Sequence, residues 1–195
     1  MGKNEKIKGD LNGLLSQFLI RRRQAMVTPY VTGANRVLDV GCGVFRWGRL
    51  IMPSTTYVGI DIEPAVVLYN QEHFPYTFSQ MDIENSDLSI LGGDYDLIIM
   101  LAVVEHLHNP SACLNKMMSM LSNNGYLVIT TPHPFGNSIL NIGSFFRIFS
   151  QDKHTHNMLL GKNHLEELAI QVNAKVVEYE RFLFGFNQKI VLIKK

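Results

Sequence analysis

The chain has 195 residues, of which 46% are hydrophobic and 18% are charged, and its formal net charge is +1. This length favours one folded domain and excludes a separate substrate domain, while the composition is typical of a soluble globular protein. The near-neutral charge excludes a strong global field for attracting nucleic acid, so we expect no nucleic-acid partner.

The cysteine content and the hydropathy pattern bear on the cellular compartment. Cys42 and Cys113 lie far apart in the sequence and form no CxxC pair, which argues against a disulfide framework and a structural zinc site. No apolar stretch has the length of a membrane span, and no export signal is visible at the first residues. We therefore expect a cytoplasmic protein.

The first predicted element is an amphipathic helix that ends in three arginines. Its apolar face has helical spacing and comprises Leu11, Leu14, Leu15, Phe18 and Leu19. Arg21, Arg22 and Arg23 follow this face, and we interpret them as a solvated basic turn. Contact with a phosphate or an anionic membrane is the alternative.

From residue 37 onward, short apolar runs alternate with helical patterns, which is typical of βαβ units around a parallel sheet. The runs predict strands at 37–40, 57–60, 77–80, 96–100 and 126–130. Before the last strand, Asn109 and Pro110 predict the N-cap and first position of a helix. The apolar face of that helix comprises Leu114, Met117, Met118 and Leu121.

The pattern changes after Thr131, because Pro132 and Pro134 are expected to break the strand. Residues 132–161 are interpreted as a substrate-facing insertion rich in apolar side chains. It is either a lid over a bound substrate, an ordinary packing segment, or a contact for a lipid-linked substrate with peripheral membrane binding. A helix follows, in which Asn163 and Glu166 have the spacing of a capping box. After this helix, the sequence predicts an antiparallel hairpin with strands at 175–182 and 188–193.

The candidate functional residues follow the predicted strands. In an open α/β sheet, ligands bind outside the carboxyl ends of the strands. Asp39 and the 41–43 glycine turn follow the first strand, Asp61 ends the second, and Asp82 follows the third, while residues 101–106 follow the fourth. These four positions predict a pocket along one sheet edge.

The motifs VLDVGCG, YVGIDIEP, FSQMDIE, YDLIIMLAVVEHLHNP and LSNNGYLVITTPHP resemble, in order and spacing, those of class I S-adenosylmethionine (AdoMet)-dependent methyltransferases. The resemblance covers about residues 35–134. It implies a three-layer α/β/α sandwich with a seven-stranded, mostly parallel sheet and an antiparallel C-terminal hairpin. The single domain 1–195 would then consist of an N-terminal helical segment (1–34), a cofactor-binding core (35–131), the insertion (132–161), and a helix with the closing hairpin (162–195).

The same resemblance implies a role for each matched residue toward AdoMet. Gly41 and Gly43 would pack against its methionyl and ribose parts, Asp39 would orient its amino end, and Asp61 would bind both ribose hydroxyls. The remaining implied contacts are Asp82 with the adenine amino group, Ile83 with the ring, and Met100 or Leu101 beside the transferable methyl. Cys42 and Ile62 complete the predicted cofactor-binding set.

The glycine turn departs from the family pattern at its third glycine, where this chain has Phe45. Either Phe45 or Trp47 packs beneath the turn as core, or one of them lines the cofactor pocket. Arg46 either reaches the AdoMet carboxylate or lies in solvent. The dinucleotide pattern GxGxxG would require glycine at position 46, which argues against an NAD-dependent oxidoreductase.

Two histidines are candidate general bases. His106 follows the fourth strand, where the methyl acceptor should lie, and His133 follows the fifth. A polar residue at a helix start is the alternative interpretation of His106. The pairs His106/His108 and His154/His156 resemble metal ligands, but Ala102 replaces the first glutamate of the metal-binding ExxEH pattern, so we predict no metal.

The sequence therefore predicts a methyltransferase that uses AdoMet and acts on a small-molecule, glycan or lipid-precursor acceptor. Because AdoMet already carries its electrophile, alignment of the acceptor would be the main task of the protein. Two alternatives remain at this point. One is a non-catalytic AdoMet-binding partner subunit, and the other is the NAD-dependent oxidoreductase.

Overall fold

The computed structural model describes residues 14–134 and 160–195. In chain order, its elements are α1 (Leu14–Val31), β1 (Arg36–Val40), β2 (Thr56–Asp61), α2 (Pro64–His73), β3 (Thr77–Gln80), β4 (Tyr95–Leu101), α3 (Pro110–Met120), β5 (Leu121–Pro132), α4 (Lys162–Gln171), β6 (Ala174–Phe182) and β7 (Asn187–Lys194). Short 3₁₀ segments lie at Gly48–Leu50, Leu88–Leu91 and Val104–His106. The predicted alternation of strands and helices is thereby confirmed.

The strands form one seven-stranded sheet in the order β3-β2-β1-β4-β5-β7-β6. Strands β1 to β5 pair in parallel, whereas β7 pairs antiparallel with both β5 and β6. The order reverses direction at β1, which lies between β2 and β4. The expected mostly parallel sheet with an antiparallel closing hairpin is confirmed, and the reversal marks the place where such sheets bind ligands.

The two faces of the sheet carry separate apolar cores. Leu38 in β1 packs in the core that contains Met117 of α3 and Leu165 of α4. Its neighbour Val37 points to the other face, in the core that contains Val27 of α1. Adjacent residues are therefore both fully buried, as expected for a parallel sheet covered on both faces. Each such side chain contributes about 1.5–3 kcal/mol relative to an exposed one.

Helix α1 is longer than the sequence predicted, because it continues through the arginines to Val31. Val27 and Val31, four residues apart, are both buried against the sheet, so tertiary packing extends the helix. The interpretation of all three arginines as a solvated turn is wrong for Arg23. Its side chain is half-buried, and Nε donates a hydrogen bond to Asn187 Oδ1 in β7 at 3.2 Å.

Three further boundaries differ from the predictions. Leu121, predicted on the apolar face of the helix, is the first residue of β5 and pairs with Tyr95, because α3 ends at Met120. Strand β5 includes Pro132, which pairs with Asn187, so the proline ends the strand without breaking it earlier. Helix α4 begins at Lys162 after an N-cap glycine, Gly161, so Asn163 lies inside the helix and forms no capping box. The Asn109 cap is confirmed, since its side chain accepts a hydrogen bond from the N–H of Ala112 at 3.0 Å.

Much of the predicted insertion, residues 135–159, lies outside the described residues. Within residues 14–134 and 160–195, no helix combines the length and the apolar character needed to cross a membrane.

Candidate active site

The residues predicted to bind a cofactor meet at one edge of the sheet, because parallel strands end on the same side. The ends of β1, β2 and β4 are neighbours there, with Asp39 opposite Gly59 in β2 and Ile99 in β4. Strand β7 is antiparallel, so its first residue, Asn187, also lies at this edge, opposite Pro132. We call this edge the carboxyl edge.

The chain turns sharply after β1, and glycine is required at position 41 for two reasons. Its φ is +66°, in the left-handed region, and a Cβ there would lie 2.5 Å from Val103 Cγ2. Val103 approaches because Ala102, with φ +57°, turns the chain directly after β4. The N–H groups of Gly41 and Cys42 both donate to the carbonyl of Ile60, at 2.8 and 3.0 Å. The turn is thus bound to β2.

Asp61 connects the end of β2 to the glycine turn through its carboxylate. Oδ2 accepts a hydrogen bond from the N–H of Gly43 at 2.8 Å, and Oδ1 accepts one from the N–H of Glu63 at 2.9 Å. A carboxylate has about four acceptor positions, so two remain for hydroxyl donors. Gly43 has φ +54°, and nothing lies within 4 Å of the position of a Cβ, so the space beside it is open.

Asn70 in α2 was not singled out in the sequence, yet it supports the turn from below. It is fully buried. Its Nδ2 donates to the carbonyl of Gly43 at 2.7 Å, and its Oδ1 accepts from the N–H of Phe45 at 2.9 Å. Only its place on an otherwise apolar helix face could have suggested this role.

Phe45, at the position of the family's third glycine, packs into an aromatic cluster beneath the turn. It is 5% exposed, and its ring centroid lies 5.0 Å from that of Tyr57, 4.8 Å from that of Phe74 and 4.9 Å from that of Tyr76. Trp47 is also buried in this core. Of the two alternatives stated for these aromatics, the structure favours packing beneath the turn.

Asp39 lies beneath the turn with its carboxylate enclosed by aromatic donors. Its Oδ2 accepts hydrogen bonds from Trp47 Nε1 and the Tyr57 hydroxyl, each at 2.7 Å, and the residue is 4% exposed. Burial raises the pKa of Asp39 to about 6, and the two hydrogen bonds offset this only in part. Asp39 therefore pairs the polar atoms of Trp47 and Tyr57 beneath the turn, and its contact with the amino end of AdoMet stays a prediction.

The segment after β3 is held in place by its own side chains and by α3. Asp82 Oδ1 accepts from the N–H of Glu84 at 2.9 Å, and Oδ2 accepts from Asn85 Nδ2 at 2.8 Å. These hydrogen bonds lower the pKa of Asp82. Lys116 Nζ donates to the carbonyls of Ile83 and Glu84, at 3.0 and 2.9 Å. Asp82 is therefore ionised and held at the carboxyl edge.

The two residues at the end of β4 differ in accessibility. Met100 is fully buried in the core on the α3 side. Leu101 is half-buried and packs against the opposite core, which also contains Phe45 and Trp47. Of the pair predicted beside the transferable methyl, Leu101 is therefore the residue that lies on the same face of the sheet as the aromatic residues beneath the glycine turn. Ile62 is 65% exposed just after Asp61 and is accessible to a ligand.

The two candidate bases lie beyond neighbouring strands. His106 ends the 3₁₀ segment after β4 and is exposed, while His133 follows β5 and is half-buried. The backbone N–H of His133 donates to the carbonyl of Phe186 at 2.8 Å. Burial lowers the pKa of His133, and the charge of Arg181 lowers it further, so this imidazole is neutral at neutral pH.

The first histidine pair contributes to the structure through His108. Its Nδ1 lies 2.9 Å from Glu84 Oε2, while Glu84 Oε1 accepts hydrogen bonds from the N–H groups of His108 and Asn109. His154 and His156 lie outside the described residues. In the ranges that the structure describes, no three His, Cys, Asp or Glu side chains converge as they would around a metal ion.

We predict that Asn70→Ala destabilises the protein by about 2–4 kcal/mol, because it leaves buried groups of Gly43 and Phe45 without partners. Gln71→Ala is the matched control, since it removes one hydrogen bond, from Gln71 Nε2 to the carbonyl of Phe78, on the same helix. It should cost about 1 kcal/mol or less. Urea unfolding measures both, and equal losses would contradict a special role for Asn70.

Asp39→Asn should change the pH dependence of stability. The folded pKa of about 6 exceeds the ordinary value of 3.8, so the contribution of Asp39 to stability is present below pH 3.8 and is lost as the pH rises through 6. Relative to the variant, the wild type should lose about 2 kcal/mol between pH 4 and pH 7.5. The asparagine oxygen still accepts from Trp47 and Tyr57. A pH-independent difference in the free energy of unfolding would contradict the prediction.

Two of the proteins that this chain resembles in sequence are O-methyltransferases by name. Malonyl-[acyl-carrier protein] O-methyltransferase from Acetivibrio thermocellus is 30% identical over 101 residues, which cover 49% of this chain and 35% of that protein. Ubiquinone biosynthesis O-methyltransferase from Cereibacter sphaeroides is 25% identical over 161 residues, covering 77% and 64%. The chain thus spans about a third to two thirds of the length of these curated relatives.

The fold and the family are shown by two further comparisons. The crystal structure of an S-adenosylmethionine-dependent methyltransferase from Mesorhizobium loti superposes with a TM-score of 0.70 at 15% identity, covering 88% of this chain and 95% of that one. The family model described as "Methyltransferase domain" matches residues 7–179. Since that match includes the glycine turn, Asp61 and the ends of β3 and β4, the chain belongs to the methyltransferase domain family, as a class I S-adenosylmethionine-dependent member.

Proposed function

We propose that this chain transfers the methyl group of AdoMet to an oxygen atom of a small-molecule acceptor. The observation that carries the proposal is the carboxylate of Asp61, fixed by the N–H groups of Gly43 and Glu63 beside an open space at Gly43. Membership of the methyltransferase family excludes the NAD-dependent oxidoreductase alternative.

The residues at the carboxyl edge fit AdoMet. The two remaining acceptor positions of Asp61 suit the two ribose hydroxyls, and the absence of a side chain at Gly43 allows close approach. Asp82, ionised beyond β3, would accept from the adenine amino group, with Ile83 against the ring. Leu101 would border the transferable methyl. When bound, AdoMet would supply a sulfonium methyl group, whose carbon a nucleophile attacks in line while the sulfur leaves as a thioether.

The chain's own contribution is mainly alignment. Holding acceptor and cofactor in reactive geometry can lower the barrier by about 7–11 kcal/mol. The glycine turn suits this task because β2 and α2 support it through the carbonyl of Ile60 and the side chain of Asn70. A rigid turn fixes the methyl group relative to the ends of β4 and β5, where the acceptor would enter.

A hydroxyl acceptor also needs a proton acceptor. His106 is the first candidate, because it follows β4, whose last residue is Leu101. His133 is the second, and its lowered pKa keeps it neutral and able to accept a proton at neutral pH. Base catalysis of this kind contributes about 10²–10⁴-fold.

The proposed acceptor class rests on the two relatives described above, which are O-methyltransferases by name. We extend the oxygen acceptor to this chain and keep glycan and lipid-precursor acceptors as outcomes of the test. The charge of +1 gives no support for a nucleic-acid acceptor.

The two cysteines, Cys42 and Cys113, are free thiols, which is consistent with a cytoplasmic location.

Asp61→Asn should weaken AdoMet binding by about 10–100-fold, because hydrogen bonds to a charged acceptor are lost or weakened. The matched control is Asp96→Asn. Asp96 Oδ2 also accepts from two backbone N–H groups, those of Asn35 and Arg36, but at the opposite edge of the sheet. Calorimetric titration with AdoMet measures both variants, and an unchanged affinity in Asp61→Asn would overturn the ribose assignment.

His106→Ala should lower kcat by about 10²–10⁴-fold while leaving AdoMet affinity unchanged, as expected for a base. His133→Ala is made in parallel and should have the smaller effect. The reverse order would assign the base to His133. Full activity in both variants would leave alignment as the whole contribution of the protein.

The acceptor class is tested with methyl-labelled AdoMet and a cell lysate separated into small-molecule, lipid, glycan, protein and nucleic-acid fractions. Label in the small-molecule fraction is the expected result, and label in another fraction would correct the acceptor class. A protein that binds AdoMet but labels nothing would favour the non-catalytic partner subunit.

A further inference from the structure

The turn that joins β6 to β7 has an unusual backbone. Leu183, Phe184 and Gly185 all have positive φ, at +52°, +56° and +86°. Glycine adopts this region without cost, but a residue with a Cβ does not. A hairpin link with glycine at the first two of these positions would form the same turn more favourably.

Phe184 carries a second cost, because its side chain is 94% exposed. The preceding residues, Phe182 and Leu183, are each 8% exposed and pack in the protein. Phe184 therefore adds backbone strain through its Cβ, and its ring adds exposed apolar surface without contributing packing to the fold. Strained residues of this kind cluster at functional sites.

The surrounding residues hold the turn in place. Arg181 donates from Nη2 and Nε to the carbonyl of Gly185, at 3.0 and 3.3 Å. The carbonyl of Phe186 accepts from the N–H of His133 at 2.8 Å, and the N–H of Phe186 donates to the carbonyl of Leu183 at 3.1 Å. Phe184 is thus presented outward from a well-supported turn.

The turn lies at the carboxyl edge, next to the candidate acceptor site. Asn187 follows the turn and pairs with Pro132 of β5, and β5 is adjacent to β4. The last paired residues of β4 and β5 are Leu101 and Thr130. Two strand spacings, on the order of 10 Å, separate β4 from β7. Phe184 precedes Asn187, which is itself two pairs beyond the level of Leu101 and Thr130, so Phe184 lies beyond the end of β4 as well as to its side, at roughly 10 Å or more. An acceptor of moderate size spans this distance.

We propose that Phe184 contacts the methyl acceptor, and that the acceptor carries an apolar group on the order of 10 Å or more from the atom that is methylated. This inference rests on the proposed function and adds the chemistry of the acceptor to it. Phe184 is a specificity-determining residue, because it binds the end of the acceptor that does not react. An exposed aromatic ring supplies a large apolar contact with little conformational freedom to lose.

The test compares the wild type with Phe184→Gly and Phe184→Tyr. Methyl-labelled AdoMet is incubated with an aqueous extract and with an organic-solvent extract of cells. The wild type should label an apolar small molecule, distinct from the lipids, in the organic extract. Phe184→Gly should raise the KM for that compound at least about tenfold, with kcat and AdoMet affinity little changed. Phe184→Tyr should retain most of the wild-type activity.

A stability measurement separates this role from a structural one. Phe184→Gly relieves the left-handed strain, so its Tm should equal or exceed that of the wild type, by up to about 2–4 °C. The matched control is Ile90→Ala, which removes another exposed apolar side chain, 76% exposed, near the opposite edge where Leu91 accepts from Arg36. It should change neither KM nor AdoMet affinity.

Three results would overturn the inference while leaving methyl transfer in place. These are an unchanged KM in Phe184→Gly, a Tm several degrees below that of the wild type, and label confined to the aqueous extract. Failure of the proposed function gives a different result, namely AdoMet binding by the wild type without label in either extract.

Discussion

The reversal of the chain after β1 is the constraint on which the carboxyl edge depends. A turn has no neighbouring strand to pair with, so its N–H groups need acceptors from elsewhere in the protein. Ile60, Asp61 and Asn70 supply these acceptors, and the donors are the N–H groups of Gly41, Cys42, Gly43 and Phe45. The turn is therefore held by β2 and α2, and its geometry is fixed before any ligand binds.

The same turn explains why a carboxylate is retained in the core. Asp39 bonds Trp47, which follows the turn, and Tyr57, which begins the buried part of β2. Burial of the charge opposes folding, as the raised pKa of Asp39 indicates. The carboxylate nevertheless accepts hydrogen bonds from Trp47 Nε1 and the Tyr57 hydroxyl, so the polar atoms of these two large aromatic residues are paired inside an apolar cluster. Phe45 fills the space beneath the turn, so the chain tolerates a bulky residue at the family's third glycine position.

The antiparallel direction of β7 determines which residues can reach the acceptor. A parallel final strand would begin at the opposite edge and carry the preceding turn away from β4 and β5. Because β7 runs the other way, its start lies beside the end of β5. This places Asn187, with its hydrogen bond from Arg23 of α1, at the carboxyl edge. It also places the strained turn and Phe184 there. Elements from both ends of the described chain thus meet around one site.

The sequence by itself determined the order of strands and helices, the glycine turn and the acidic residue that ends β2. These features depend on local periods and on backbone conformations that few residues adopt, so they can be recognised from neighbours in the chain. The sequence did not determine the end of α1, the buried position of Arg23, the role of Asn70 or the start of α4. Each of these depends on partners far away along the chain, such as Val27 against the sheet and Asn70 beneath Gly43. Only the tertiary structure decided them, because burial and hydrogen bonding between distant residues override local preference.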